Sequence, residues 1–261
     1  MIDLDDVIGR ARQGDKAALA ELLASEEARI YAFGLRMCRD PEEAKETLQD
    51  TMLAVASHIS SFRGESSLST WLFQLARSAC AKRHRRKSGA PDSLEALDDV
   101  AVADPAPSPE RAAEDREVAE RVHRALAALP DTMREVVVLR DVEGLTAPEV
   151  AEVMGLTIEA VKSRLHRGRA ALRAALGAPD GERAADGECP DIVAMYSRQL
   201  EGDLSSSICA QLEQHVARCP RCRGQCEGLK LSLAQCRALP VVPVEIQRDV
   251  RQALADFLHL R

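Results

Sequence analysis

Aromatic residues are scarce in this chain: one Trp, two Tyr and four Phe make up 3% of its 261 positions. Sheets draw heavily on aromatic and β-branched residues, so the shortage counts against large β-sandwiches and favours packed aliphatic helices. Strand-like alternation is absent too, while Ala, Leu, Glu and Arg dominate, and the expected fold class is all-α. Long apolar runs are also missing, and none approaches the ~18 residues needed to span a bilayer. Met1–Ile8 carries three aspartates and lacks both the basic and the apolar part of a signal peptide. Eight cysteines are present, six of them after residue 188. Without a secretory leader they are not expected to form a disulfide framework. A reducing cytoplasm is the expected location, and there clustered thiols mean metal or redox chemistry.

What remains is a chain able to build cores, 46% hydrophobic and 30% charged, with room for two domains or three small ones. Its net charge of −7 looks wrong for a nucleic-acid binder, but the distribution is blocked. Lys82-Arg83-His84-Arg85-Arg86-Lys87 is a dense basic run, and Lys162, Arg164, Arg167, Arg169 and Arg173 form a second basic stripe. Between them, Ser88–Glu110 holds Asp92, Glu95, Asp98, Asp99, Asp104 and Glu110 with no Lys or Arg. Such blocks imply different partners for different segments.

Periodicity divides the chain into 1–87, 88–113, 114–178, 188–237 and 240–261. In the first segment Leu4, Val7, Ile8 and Ala11 begin an apolar stripe that Leu19, Leu22 and Leu23 continue. Leu48, Met52, Val55 and Ile59 mark an amphipathic helix, and Leu68, Trp71, Leu72, Leu75 and Ala79 mark another, capped by Ser66 or Ser67. Trp71 is expected to pin this core, and Cys38 and Cys80 read as lone core thiols. Segment 88–113, with Pro91, Pro105, Pro107 and Pro109 among acidic residues, reads as a flexible linker. Val118, Val122, Leu126 and Leu129 resume the helical period before Pro130. Gly177–Gly187 is a short joint. After Pro240 and Pro243, the positions Ile246, Val250, Leu254 and Phe257 define a last amphipathic helix.

Thr146-Ala-Pro-Glu149 has the form of a capping box, and its helix buries Val150, Val153 and Met154 before stopping at Gly155. Thr157 can cap the next helix, whose expected inner face is Ile158, Val161, Leu165 and Leu172. Two short helices joined at a glycine, the second one basic outside, describe a helix-turn-helix. Lys162, Ser163, His166 and Arg167 would then reach base edges and phosphates. An ordinary helical hairpin with a solvated basic face is the bland alternative. Capping, glycine and basic stripe together favour DNA.

Cys189, His215, Cys219 and Cys222 follow the spacing Cys-x25-His-x3-Cys-x2-Cys, with Pro220-Arg221 as a tight turn. Three thiolates and an imidazole match the number, softness and tetrahedral preference of structural zinc. His215 and Cys219 fall one helical turn apart. Cys209, Cys226 and Cys236 exceed what four ligands require. They are candidate additional ligands for a thiophilic metal (zinc, cadmium or copper), and inert burial is the alternative. Cys222 and Cys226 would share a face if a helix begins after Pro220. Cys209 does not naturally join the same tetrahedron.

Asp50-Thr51 through Ser61-Phe62-Arg63-Gly64-Glu65-Ser66 to Thr70-Trp71-Leu72 resembles region two of extracytoplasmic-function (ECF) sigma factors. Leu129-Pro130, Arg134-Glu135-Val136, Leu139 and Thr146–Arg169 resemble region four. The cysteine-rich segment resembles the zinc-binding anti-sigma domain, and the fusion is similar to CorE-like, metal-responsive sigma factors. The resemblance implies core RNA polymerase and promoter DNA as partners, with no enzymatic activity. It places polymerase binding on Glu46, Gln49, Asp50 and Leu53, and capture of an unstacked base in the loop His58–Ser69. Promoter contacts would come from Gln74, Arg77, Ser78 and Lys82, with Ser78 where relatives often carry Asn. The acidic linker would lie in the polymerase RNA exit path.

Three other readings draw on the same residues. A metal-sensing helix-turn-helix regulator leaves the Trp71 segment unexplained. A zinc hydrolase needs an open coordination position, which four protein ligands remove. A redox sensor that loses zinc on oxidation uses the same thiols.

Overall fold

The structure, a computed structural model, describes residues 4–38, 40–87, 109–177, 189–237 and 242–259. Among these residues every regular element is helical, as the composition predicts. Two compact units are present: residues 1–116 with 239–261, and residues 117–238.

In the first unit α1 (Leu4–Arg12), α2 (Lys16–Cys38), α3 (Pro41–His58) and α4 (Leu68–Lys87) enclose a core of Leu22, Ile30, Phe33, Leu48, Met52, Leu72 and Phe73. Asp40 caps α3 by accepting from the Glu42 amide at 2.8 Å, with Pro41 at the first helical position. Ser67 is the cap of α4, accepting from the Thr70 amide at 3.2 Å. The expectation for Trp71 needs correction. Its side chain is only partly buried against Phe62, ring centroids 5.1 Å apart, while the neighbouring Phe73 is 1% exposed and fills the core. Leu4 is likewise 43% exposed rather than part of the buried stripe. The C-terminal helix α12 (Val244–His259) belongs to this unit, laying Ile246 and Val250 against α3.

Residues 88–108 lie outside the described residues. The expected linker ends sooner than residue 113, because α5 (Pro109–Ala127) already starts at Pro109, whose fixed φ suits a first helical position. In the second unit α6 (Asp131–Val137) runs into a π-helical turn, Val138–Val142, and is followed by α7 (Ala147–Met154) and α8 (Ile158–Ala175). The Thr146–Glu149 capping box is complete in both directions. Gly155 ends α7 at φ 65°, a left-handed position that glycine occupies without a Cβ penalty. Gly168 serves packing instead, since a Cβ there would stand 2.7 Å from Val137 Cγ2, on α6. Val161, Leu165 and Leu172 are buried, but Ile158, at the open first turn of α8, is 37% exposed. Residues 178–188 of the glycine joint lie outside the described residues. Then come α9 (Ile192–Leu200), α10 (Ser206–Arg218) and α11 (Pro220–Cys236); α11 packs on both α9 and α10, and α9 and α11 also pack on α8.

Candidate metal centre and nucleic-acid interface

The four expected ligands are brought together, all ligand atoms lying within 4.8 Å of one another. His215 sits in the last turn of α10, and Cys219 closes that helix, its amide donating to the His215 carbonyl at 2.9 Å. No free-standing turn separates the last two thiols. Pro220 is the first residue of α11, so Cys222 lies in the first turn of a helix. Cys189 reaches the group from the segment before α9. Cys189 and Cys219 sulfurs are 3.8 Å apart, which equals the ~3.8 Å edge of a tetrahedron with 2.3 Å zinc–sulfur bonds. His215 Nε2 lies 3.1 Å from Cys222 Sγ.

Burial, reinforced by the adjoining Cys189 and Cys219 thiols, pushes the Cys222 thiol up to about 12. Thiolates are the form that binds zinc, and the helix N-terminus at Pro220 adds potential favourable to negative charge. The donor set therefore fits zinc, which when bound would tie α9, α10 and α11 into one small core with Ile192 and Leu212. Cys226 packs in that core on the Cys222 side of α11, and burial raises its thiol pKa. Cys236 is buried and Cys209 half-buried; all three lie outside the four-ligand group.

The basic stripe on α8 is not a uniformly solvated face. Ser163 and Arg167 are exposed. Lys162 Nζ is 2.5 Å from Asp203 Oδ1, and His166 Nε2 is 3.9 Å from Asp191 Oδ2, the carboxylate that caps α9. Arg169 and Arg173, expected on the outer stripe, are 0% and 8% exposed. Arg169 forks onto both oxygens of Asp141 at 2.6 and 2.8 Å, and donates to Ser197 Oγ at 2.6 Å and Glu201 Oε1 at 2.8 Å. Arg140 reaches the other Glu201 oxygen at 3.0 Å, and Arg237 donates to the Asp141 carbonyl at 2.7 Å. Two anions therefore surround the buried Arg169 guanidinium, which is the condition for its charge to survive burial. Asp141, Asp191, Ser197, Glu201 and Asp203 were missed by the sequence reading. A signal did exist: Arg169 falls on the Val161–Leu165–Leu172 face, where a cation demands a buried partner.

In the first unit Glu46 is exposed on α3, with Gln49, Asp50 and Leu53 half-buried. The face beside them is covered by α12. Lys45 pairs with Asp249 at 2.8 Å, and Lys16 Nζ donates to the Leu258 carbonyl at 2.7 Å. A groove of about 370 Å³, lined by Leu23, Glu27, Met52, Arg251 and Leu254 among others, remains beneath α12. On α4, Gln74 and Arg77 are half-buried, Ser78 and Lys82 exposed, and the Ser78 hydroxyl donates to the Gln74 carbonyl at 2.8 Å. Among the described residues no helix is long and apolar enough to cross a membrane.

Known proteins resemble the chain in three stretches. Residues 22–89 match sigma-70 region 2, residues 119–172 match sigma-70 region 4, and residues 185–223 match the family described as "Putative zinc-finger". The RNA polymerase sigma-H factor of Pseudomonas aeruginosa is 32% identical over 179 residues, which cover 65% of this chain and 92% of that one. The ECF RNA polymerase sigma factor SigM of Mycobacterium tuberculosis is 34% identical over 164 residues, 63% of this chain and 80% of its own. The solved sigma factor RpoE of Bartonella quintana, crystallised with the anti-sigma factor NepR, shares the fold at a TM-score of 0.50 and 22% identity, over 60% of this chain and 96% of that one. On these matches the chain belongs to the ECF sigma factors of RNA polymerase, transcription initiation factors rather than enzymes, and carries a zinc-finger-like C-terminal region.

Proposed function

We propose that this sigma factor directs core RNA polymerase to a two-part promoter, and that its own cysteine-rich module restrains promoter access until it meets a thiophilic metal. Cys189, His215, Cys219 and Cys222 hold a structural zinc. Zinc, cadmium or copper is the inducing signal, with Cys209, Cys226 and Cys236 as the thiols that would register it. The observation that carries the reading is the pairing of Lys162 with Asp203, held in place by the buried pairing of Arg169 with Glu201. A carboxylate of the module occupies a cation on the outer face of the helix that would read the upstream promoter box. A carboxylate and a phosphate compete for the same donor, so bound module and bound DNA exclude one another at Lys162.

Polymerase binding is assigned to Glu46, Gln49, Asp50 and Leu53, beside the α3 face that α12 covers. Arg77, Ser78 and Lys82 contact the melted downstream box, and Lys162, Ser163, His166 and Arg167 the upstream one. Functionally the chain divides into a region-two domain (1–87), linker (88–108), region-four domain (109–178), metal module (188–237) and terminal helix (240–261). Asp50→Lys should weaken binding to core polymerase at least tenfold with α-helicity intact, and unchanged affinity would remove the assignment. Metal analysis of the purified full chain, with promoter-specific transcription across zinc, cadmium and copper salts, tests the regulatory half.

A further inference from the structure

Cys38 and Cys80 are 42 residues apart in sequence, and each alone reads as an inert core thiol. The fold brings them together. Their sulfurs stand 2.7 Å apart inside the first unit, with the two residues 4% and 5% exposed and the Thr47 hydroxyl 3.4 Å from Cys38 Sγ. The pair lies on a seam between α2 and α4 that runs in one direction along both helices. Arg29 reaches Ser69 at 3.4 Å, Phe33 meets Phe73 with ring centroids 5.4 Å apart, and Cys38 then meets Cys80.

A shared metal does not fit this spacing. Two thiolates on one zinc would stand ~3.8 Å apart, and no third ligand joins these two among the described residues. A disulfide requires sulfurs about 2.05 Å apart, a far smaller adjustment. We infer that Cys38 and Cys80 form a dithiol site that a hydroperoxide converts to an intramolecular disulfide, pinning α4 to α2. This site is separate from the zinc thiols and gives the region-two unit a redox input of its own.

The chemistry balances with peroxide as the only co-reactant. One thiolate attacks a peroxide oxygen, forming S–O and breaking O–O, and the departing hydroxide takes up a proton. The second thiol attacks the resulting sulfenic sulfur, forming S–S and expelling water. Two thiols lose two electrons and hydrogen peroxide becomes two waters. Both thiols are buried away from a dissolved peroxide, so the reaction is slow and proceeds through local opening of the seam.

The test uses the full-length, zinc-loaded chain with hydrogen peroxide, quenched by alkylation and mapped by mass spectrometry under non-reducing conditions. A linked pair of peptides containing Cys38 and Cys80 is expected, lost on adding dithiothreitol and absent from Cys38→Ala and Cys80→Ala. Closing this loop should also raise the unfolding midpoint of the first unit by roughly 5–10 °C. Full alkylation of both residues after peroxide, or linkage of either one to a zinc-site cysteine, would overturn the dithiol site. A linked species with an unshifted midpoint would overturn the pinning.

Discussion

Arg169 Nη2 and Glu201 Oε1 meet at 2.8 Å with their side chains 0% and 3% exposed, joining α8 to the end of α9 in the cysteine-rich module. Asp141 holds the same guanidinium from the other side. Water cannot replace either carboxylate at this depth, so the cluster is held by its members or opens as a whole. A module locked in this way is coupled directly to α8.

Glu201→Ala should therefore destabilise the second unit by about 2–4 kcal/mol in urea denaturation, because Arg140 and Arg169 both lose a buried partner. Glu201→Gln should cost less, since it keeps the side-chain volume and its one amide oxygen still accepts from one arginine, while the amide nitrogen releases the other. A loss below ~0.5 kcal/mol for Glu201→Ala would show that the cluster is not what joins α8 to α9.

Asp203→Asn acts on the exposed edge of the same contact. The Lys162–Asp203 pair is a third exposed on each side, so its release is a small effect. Affinity for an upstream-box duplex should rise up to about fivefold at low salt, with the gain shrinking as salt screens both interactions. Electrophoretic or fluorescence titration at two salt concentrations reads this out. No gain at either concentration would mean that the pair does not compete with DNA.

Arg167 stands exposed on α8. Replacement by Ala should cost ~1–3 kcal/mol at one promoter position and relax specificity there if the guanidinium reads a base. A uniform loss across all promoter sequences, with a salt slope lower by about one, would assign it to phosphate instead.

Much of this arrangement is legible locally. The Thr146–Glu149 box, the Gly155 stop and the His215–Cys219–Cys222 run each declare themselves within a few turns of chain, because capping geometry is short-range, and the ligand chemistry then picks out Cys189 from 26 residues upstream. What escaped depends on partners far away. Arg169 reads as solvated until Asp141 and Glu201, 28 and 32 residues distant, are placed around it. Cys38 reads as a lone thiol until α4 brings Cys80 to its side. Trp71 draws attention by size alone, yet Phe73, two residues on, points to the opposite side and fills the core.

Two carboxylates give the docking of α12 opposite responses to pH. Burial raises Glu27 above its ordinary 4.5, partly offset by Arg251, so its contribution is favourable below 4.5 and lost as pH rises through the raised value. The hydrogen bond from Lys45 holds Asp249 below its ordinary 3.8, so that contribution is present above 3.8 and lost as pH falls through the lowered value. Protection of α12 amides from hydrogen exchange, corrected for intrinsic rates, should decline as pH rises past 4.5 in the native chain. In Glu27→Gln that decline should disappear, leaving α12 better protected at pH 7. A decline that survives the substitution would point to another group.

The central claim is that the module's carboxylates restrain a sigma factor and a thiophilic metal relieves that restraint. Promoter-specific run-off transcription with core polymerase tests it most directly, comparing the native chain with the Glu201→Gln, Asp203→Asn double variant at one equivalent of zinc and with excess zinc, cadmium or copper added. Expected are low output from the native chain at one equivalent of zinc, a severalfold rise with the inducing metal, and high output from the double variant under every condition. Equal transcription by the two proteins at one equivalent of zinc, with no response of the native chain to excess zinc, cadmium or copper, would contradict it.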